Sequence, residues 1–212
     1  MILFYGDSIT SGENNDFISY VQKLGLKDYY ENYAISGTTI GDYSLYPVKN
    51  NNLLELLYTT EEKIKCADKI FLSYGANDIS SVALGYAKIE DVMINLNKCL
   101  DFIQQINPDC EISYIFLSDN KKIISDLGKL QASYLLNYLG FDFNEKKFVK
   151  VWTRCWLKFY LYVDFHFRIS EFYSMINEPD FFQNYIDLDH LHPNDKGYEK
   201  IAENLIQQYI LI

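Results

Sequence analysis

The chain is poor in proline, with four, and contains neither a tract rich in Pro, Gly and Ser nor a repeated segment. This excludes a flexible linker between modules and a repeat array. At 212 residues, 49% of them hydrophobic by type, the chain suffices for one sizeable core, and one domain over residues 1–212 is expected. Cations are scarce too: 19 Lys and Arg stand against 29 Asp and Glu, a formal charge of -10. That balance argues against a nucleic acid or an anionic membrane as partner, because both are held by Lys and Arg neutralising phosphate. The four cysteines, Cys66, Cys99, Cys110 and Cys155, form no C-x-x-C pair, so no zinc knuckle, redox motif or disulfide framework is written here. Buried free thiols are expected instead. No stretch approaches the roughly 20 apolar residues that span a bilayer, and Met1 to Tyr5 is too short for a signal core. A cytoplasmic location is the corresponding expectation.

What is present is a regular alternation. Short apolar runs at Ile2–Tyr5, Tyr29–Ile35, Lys69–Tyr74, Glu111–Leu117 and Phe159–Asp164 read as five strands. Between them, apolar residues at spacings of three and four predict helices over Asp16–Leu24, Asn52–Cys66, Ile89–Ile106, Lys121–Leu139 and Glu145–Leu157. A closing helix is expected after Pro193, capped by Asn194 or Asp195 and running to about Tyr209. Strands and helices in this order imply right-handed crossovers, hence an α/β three-layer α/β/α sandwich on a mainly parallel five-stranded sheet.

In such sheets ligands bind beyond the carboxyl ends of the strands. Polar residues follow three of the predicted strands: Gly6-Asp7-Ser8, the stretch from Asn32 to Gly37 and Thr38, and Gly75-Ala76-Asn77-Asp78. A fourth polar cluster, Asp189-His190-Leu191-His192-Pro193, lies near the C-terminus. Each alone is an ordinary turn or loop. Together they supply a hydroxyl nucleophile, an imidazole base, a carboxylate to orient it and donors for an oxyanion, which are the parts of a serine ester hydrolase. The nucleophile segment is not the G-x-S-x-G elbow, because Thr10 stands at the last glycine.

In these four blocks the chain resembles the SGNH hydrolases, also called the GDSL esterase and lipase family. The resemblance implies a three-layer α/β/α fold and Ser8 as nucleophile. It also implies an oxyanion hole of the Ser8 amide, Gly37 and Asn77, and a triad completed by Asp189 and His192. It implies no metal and no cofactor. Its substrate would be a small-molecule or carbohydrate ester, with a small acyl group such as acetyl favoured by analogy and by the lack of a lid insertion.

Asp187-x-x-His190 repeats the same spacing two residues earlier. His192 is preferred as base because Pro193 biases it toward extended backbone and the run after it opens a helix; His166 sits in an aromatic run and reads as structural. The same residues would serve an acyltransferase, a thioesterase or a lysophospholipase. In a different class, Asp187, Asp189, His190 and His192 would make a divalent-metal site. The cleft walls are expected from residues 38–52, 79–88 and 165–185, where Tyr43, Tyr46, Tyr86, Phe181 and Phe182 either line the cleft or cover the core.

Overall fold

A computed structural model describes residues 1–27, 29–43, 45, 52–116, 118–166, 168–171, 180–189 and 191–207. Five strands, β1 (Ile2–Gly6), β2 (Tyr30–Asn32), β3 (Lys69–Ser73), β4 (Glu111–Phe116) and β5 (Arg168–Glu171), form one sheet in the order β2-β1-β3-β4-β5. Every pairing is parallel, and Gly6 stands opposite Ser73 in the β1–β3 ladder. The three central strands carry uninterrupted buried runs, Leu3-Phe4-Tyr5, Ile70-Phe71-Leu72 and Tyr114-Ile115-Phe116. Such runs belong to a sheet covered on both faces, and the helices supply the cover.

Those helices are α1 (Ser8–Ser11), α2 (Tyr20–Lys23), α3 (Leu53–Thr59), α4 (Glu61–Ile64), α5 (Ala76–Leu84), α6 (Ile89–Ile106), α7 (Lys121–Asn137), α8 (Glu145–His166), α9 (Phe181–Tyr185) and α10 (Asp195–Leu205). The expected three-layer α/β/α class is the observed one. Strand order reverses between β1 and β3, so a crevice opens at the carboxyl ends of these two neighbours, where a doubly wound sheet binds its ligand.

Several expected elements differ. Phe159–Asp164 is not a strand: the buried positions Phe148, Trp152, Trp156, Phe159 and Val163 continue one helical stripe, so α8 runs through to His166 and the fifth strand follows it at Arg168. The helix expected from Asp16 begins only at Tyr20, because Asp16 and Phe17 hold positive φ and Ser19 caps the chain with a reciprocal bond from Gln22. Asn52–Cys66 divides at Thr60, whose hydroxyl turns to the Leu56 carbonyl and to Tyr5. The segment after Gly75, expected as a turn and loop, is α5. Of the cysteines only Cys99 is buried, and Cys66, just past the end of α4, is exposed. The ends of two expected elements, Leu117 and Tyr209, lie outside the described residues.

Candidate active site

The first polar block turns directly out of β1. Asp7 caps α1 by accepting the Ile9 amide at 3.2 Å, which leaves Ser8 as the first residue of that helix, its N–H among the first-turn amides that have no intrahelical acceptor. Asp7 is buried, and burial pushes its carboxyl up to about 6, only partly offset by the Ile9 amide and by His192. Asn32 at the end of β2 steadies this turn, donating to the Thr10 carbonyl at 2.9 Å.

The second block is pinned to the same strand end. Ile35 donates its amide to the Gly6 carbonyl at 3.0 Å, and Thr38 Oγ1 donates to the Ile35 carbonyl at 2.7 Å. Between them Gly37 sits at φ 76°, in the left-handed region that a side chain would disfavour. The third block reaches across: Asn77 Nδ2 spends one of its two N–H bonds on the Thr38 carbonyl at 3.0 Å. Next to it, Asp78 Oδ1 accepts the Ile40 amide at 2.8 Å and the Tyr43 hydroxyl at 3.0 Å, so α5 also fixes the loop that follows Gly37. Asp78 is fully buried, and its carboxyl is pushed up to about 7 by that burial.

The fourth block arrives from the far end of the chain. Its loop is closed by a bridge between Ile186 and Pro193 and by the Asp187 amide bonding to the His192 carbonyl at 2.8 Å. Asn14 Nδ2 donates to the Pro193 carbonyl at 3.0 Å, tying the loop to the segment just after α1. Within the loop Asp189 Oδ1 accepts the amides of Leu191 and His192 at 2.9 and 3.0 Å, while Oδ2 meets His192 Nδ1. Burial alone would raise the Asp189 carboxyl, but the His192 ring and these amides together outweigh it and hold the group at about 2. His192 Nε2 then lies 2.8 Å from Ser8 Oγ. A hydroxyl, an imidazole and a carboxylate thus form one hydrogen-bonded relay across 184 residues of sequence.

Ser8, Gly37, Asn77 and His192 line one cavity with about 590 Å³ of empty space, its open mouth included. The same cavity is lined by Leu127, Gln131 and Tyr134 of α7 and by Trp152 of α8. Of the aromatics expected either to line the cleft or to cover the core, Tyr43 bonds Asp78, Tyr86 is exposed, and Phe181 is buried in the core. Tyr46 and the Phe182 side chain lie outside the described residues, as do His190 and the His166 side chain. Among the described residues no three His, Cys, Asp or Glu side chains are grouped as a metal ion requires, and His190 of the alternative metal set is not among them.

The family described as GDSL-like Lipase/Acylhydrolase matches residues 2–205. The chain belongs to that family. It is therefore a hydrolase of the GDSL type, and the α/β architecture around the relay agrees with the solved structures it resembles. A lipase from a goat rumen metagenome, Lip_vut3, superposes with a TM-score of 0.58 at 18% identity, over 96% of this chain and 94% of the other. A member of the lipolytic G-D-S-L family from Veillonella parvula gives 0.58 at 17%, over 100% and 98%. An acetyl xylan esterase, AlAXEase, gives 0.58 at 17%, over 99% of both chains. No curated protein matches the chain. At these identities the structural likenesses speak for the fold alone.

Sequence reasoning missed Asn14, Gln131, Tyr134 and Trp152. Asn14 carried no signal beyond being polar. The other three sit at helical spacings that core residues share.

Proposed function

We propose that this GDSL hydrolase cleaves a small acyl ester, acetyl being the leading case, through an acyl-Ser8 intermediate. The observation that carries the reading is the unbroken relay from Asp189 through His192 to Ser8 Oγ, with Gly37 and Asn77 on the same cavity. His192 takes the Ser8 proton as Ser8 Oγ attacks the ester carbonyl, and Asp189 stabilises the imidazolium. The charge that develops on the carbonyl oxygen is met by the first-turn amide of Ser8, by Gly37, and by the Asn77 N–H that does not serve Thr38. His192 returns its proton to the departing alcohol. Water, deprotonated by the same ring, then releases the acid and regenerates Ser8.

Support for a small acyl group comes from the bulky Trp152 and Leu127 side chains that line the same cavity as Ser8 and His192. One structural neighbour is named an acetyl xylan esterase, which favours the same acyl group and a carbohydrate as the alcohol. An acyl-chain series of chromogenic esters tests the reading. The purified protein is expected to cleave acetyl esters and to lose kcat/KM steeply as the chain lengthens, with Ser8→Ala inactive throughout. Wild-type turnover by Ser8→Ala would end the acyl-serine reading, and a preference for long chains would end the small-acyl one.

A further inference from the structure

The α7 wall of the cavity contains one residue that packing does not explain. Gln131 is 3% exposed, and its Nε2 has no hydrogen-bond partner among the described residues. A buried amide donor left unpaired costs its full desolvation, and a hydrocarbon of the same length would fill the space without that cost. The residue lies in a local apolar setting. Leu127 stands one turn before it on the same helix face, and Trp152 packs beside them across the close approach that Gly128 permits, where an added Cβ would stand 3.0 Å from the indole. One turn after it, Tyr134 sets its ring edge-on to His192, with centroids 5.7 Å apart. Leu127, Gln131 and Tyr134 therefore form a single stripe at spacings of four and three, all on the cavity that holds Ser8. The stripe places an amide and a phenol about one helical turn apart, directly beside the relay.

Resting on the hydrolase reading above, we infer that Gln131 is a specificity-determining residue that binds a hydroxyl group on the alcohol half of the ester. The polar partner belongs to the alcohol half because a small acyl group has no polar atom beyond the carbonyl, which the Ser8, Gly37 and Asn77 side takes. A hydroxyl is the matching chemistry because a 180° turn of the terminal amide exchanges its donor and acceptor ends without steric change, and a hydroxyl answers either end. Tyr134, one turn along, meets a neighbouring hydroxyl of the same polyol. The substrate class is thus an acyl ester of a polyhydroxylated alcohol, and an ester of a plain hydrocarbon alcohol would leave the Gln131 amide unpaired.

The test compares two acetates on one enzyme, glycerol monoacetate and 4-nitrophenyl acetate, in wild type, Gln131→Met and Tyr134→Phe. The ratio of kcat/KM for glycerol monoacetate over 4-nitrophenyl acetate is expected to fall about ten-fold in Gln131→Met, the scale of one lost hydrogen bond, and by a smaller factor in Tyr134→Phe. Thermal melting of Gln131→Met should stay at or above that of wild type, because the substitution removes an unpaired buried amide. A ratio unchanged in both variants, or a wild type that does not turn over glycerol monoacetate, overturns the inference. Should Gln131→Met fail to fold, the Tyr134→Phe ratio decides alone. Ser8→Ala run beside them separates the two claims: activity there sinks the acyl-Ser8 reading, whereas an inactive Ser8→Ala with an unchanged ratio sinks only the role of Gln131.

Discussion

The cavity has two walls of different construction. The strand-end wall, made by Asp7 and Ser8, the loop from Ile35 to Thr38 and the start of α5, is a mesh of backbone and short polar side chains, with Asp7 and Asp78 buried inside it. The helix wall, made by α7 and α8, is aromatic packing: Trp152 stacks on Trp156 with centroids 4.9 Å apart, and Trp156 packs on Phe116 at 4.7 Å. The first wall is held by directional bonds, local ones such as Ile9 to Asp7 and long-range ones such as Asn77 to Thr38, so each position tolerates few residue types. The second is held by area and shape, which many side chains satisfy. Ser8, Gly37 and Asn77 belong to the first wall, Gln131 and Tyr134 to the second, and His192 enters the cavity on the C-terminal loop.

The largest effect that could break this comparison concerns the end of the relay. His192→Ala should lower kcat/KM for an activated acetate by about 1,000-fold or more, as removal of a triad base does. His190→Ala, measured in parallel, should leave most of the activity. The reverse outcome would move the base to His190 and detach the bonded loop from the chemistry.

A second effect tests the buried charge of the strand-end wall through pH. Because burial lifts the Asp78 carboxyl from 3.8 to about 7, the folded protein holds this proton more tightly than the unfolded chain does. The stability it contributes is full below the unfolded value and is lost as pH rises through about 7. Asp78→Asn cannot titrate, so its stability relative to wild type should improve from pH 4 to pH 8, by on the order of 3 kcal/mol. Denaturant melts of both proteins across that range check it. A constant difference would mean that Asp78 is ionised at all these pH values.

The smallest effect probes the helix wall. Gly128→Ala gains about 1 kcal/mol of helix propensity, but its Cβ would stand 3.0 Å from a Trp152 ring that is held by Trp156 and by a 3.3 Å bond to Ser80. Overpacking of this kind costs roughly 1–3 kcal/mol, so a net loss of about 1 kcal/mol is expected in the same melts. A gain in stability would show that the wall yields more than its stacking implies.

The contrast between the walls also explains how far the sequence could be read. Gly6-Asp7-Ser8, Gly75-Ala76-Asn77-Asp78 and Asp189 to Pro193 announce themselves because a cap, a left-handed glycine or an amide-binding aspartate restricts residue type over a few positions. The preference for His192 over His190 rested on Pro193, on the helix-opening run after it and on the family pattern; Pro193 itself pairs with Ile186 in an isolated bridge. Gln131 and Trp152 gave no such signal, since apolar and long polar side chains at spacings of three and four look the same whether they face a core or a cavity. The fold was legible for the same local reasons, except where local patterns overlapped. In the aromatic run Phe159–Asp164, β-type residues fell on a helical stripe, and the packing of Phe159 and Val163 decided for helix.

The central claim, that Ser8 forms the covalent intermediate, is tested most directly by an alkylphosphonate ester followed by intact-mass measurement and peptide mapping. One phosphonyl adduct on Ser8 is expected, formed in step with loss of activity and absent from Ser8→Ala. An adduct elsewhere that appears equally fast in Ser8→Ala, or full activity with Ser8 blocked, would contradict it.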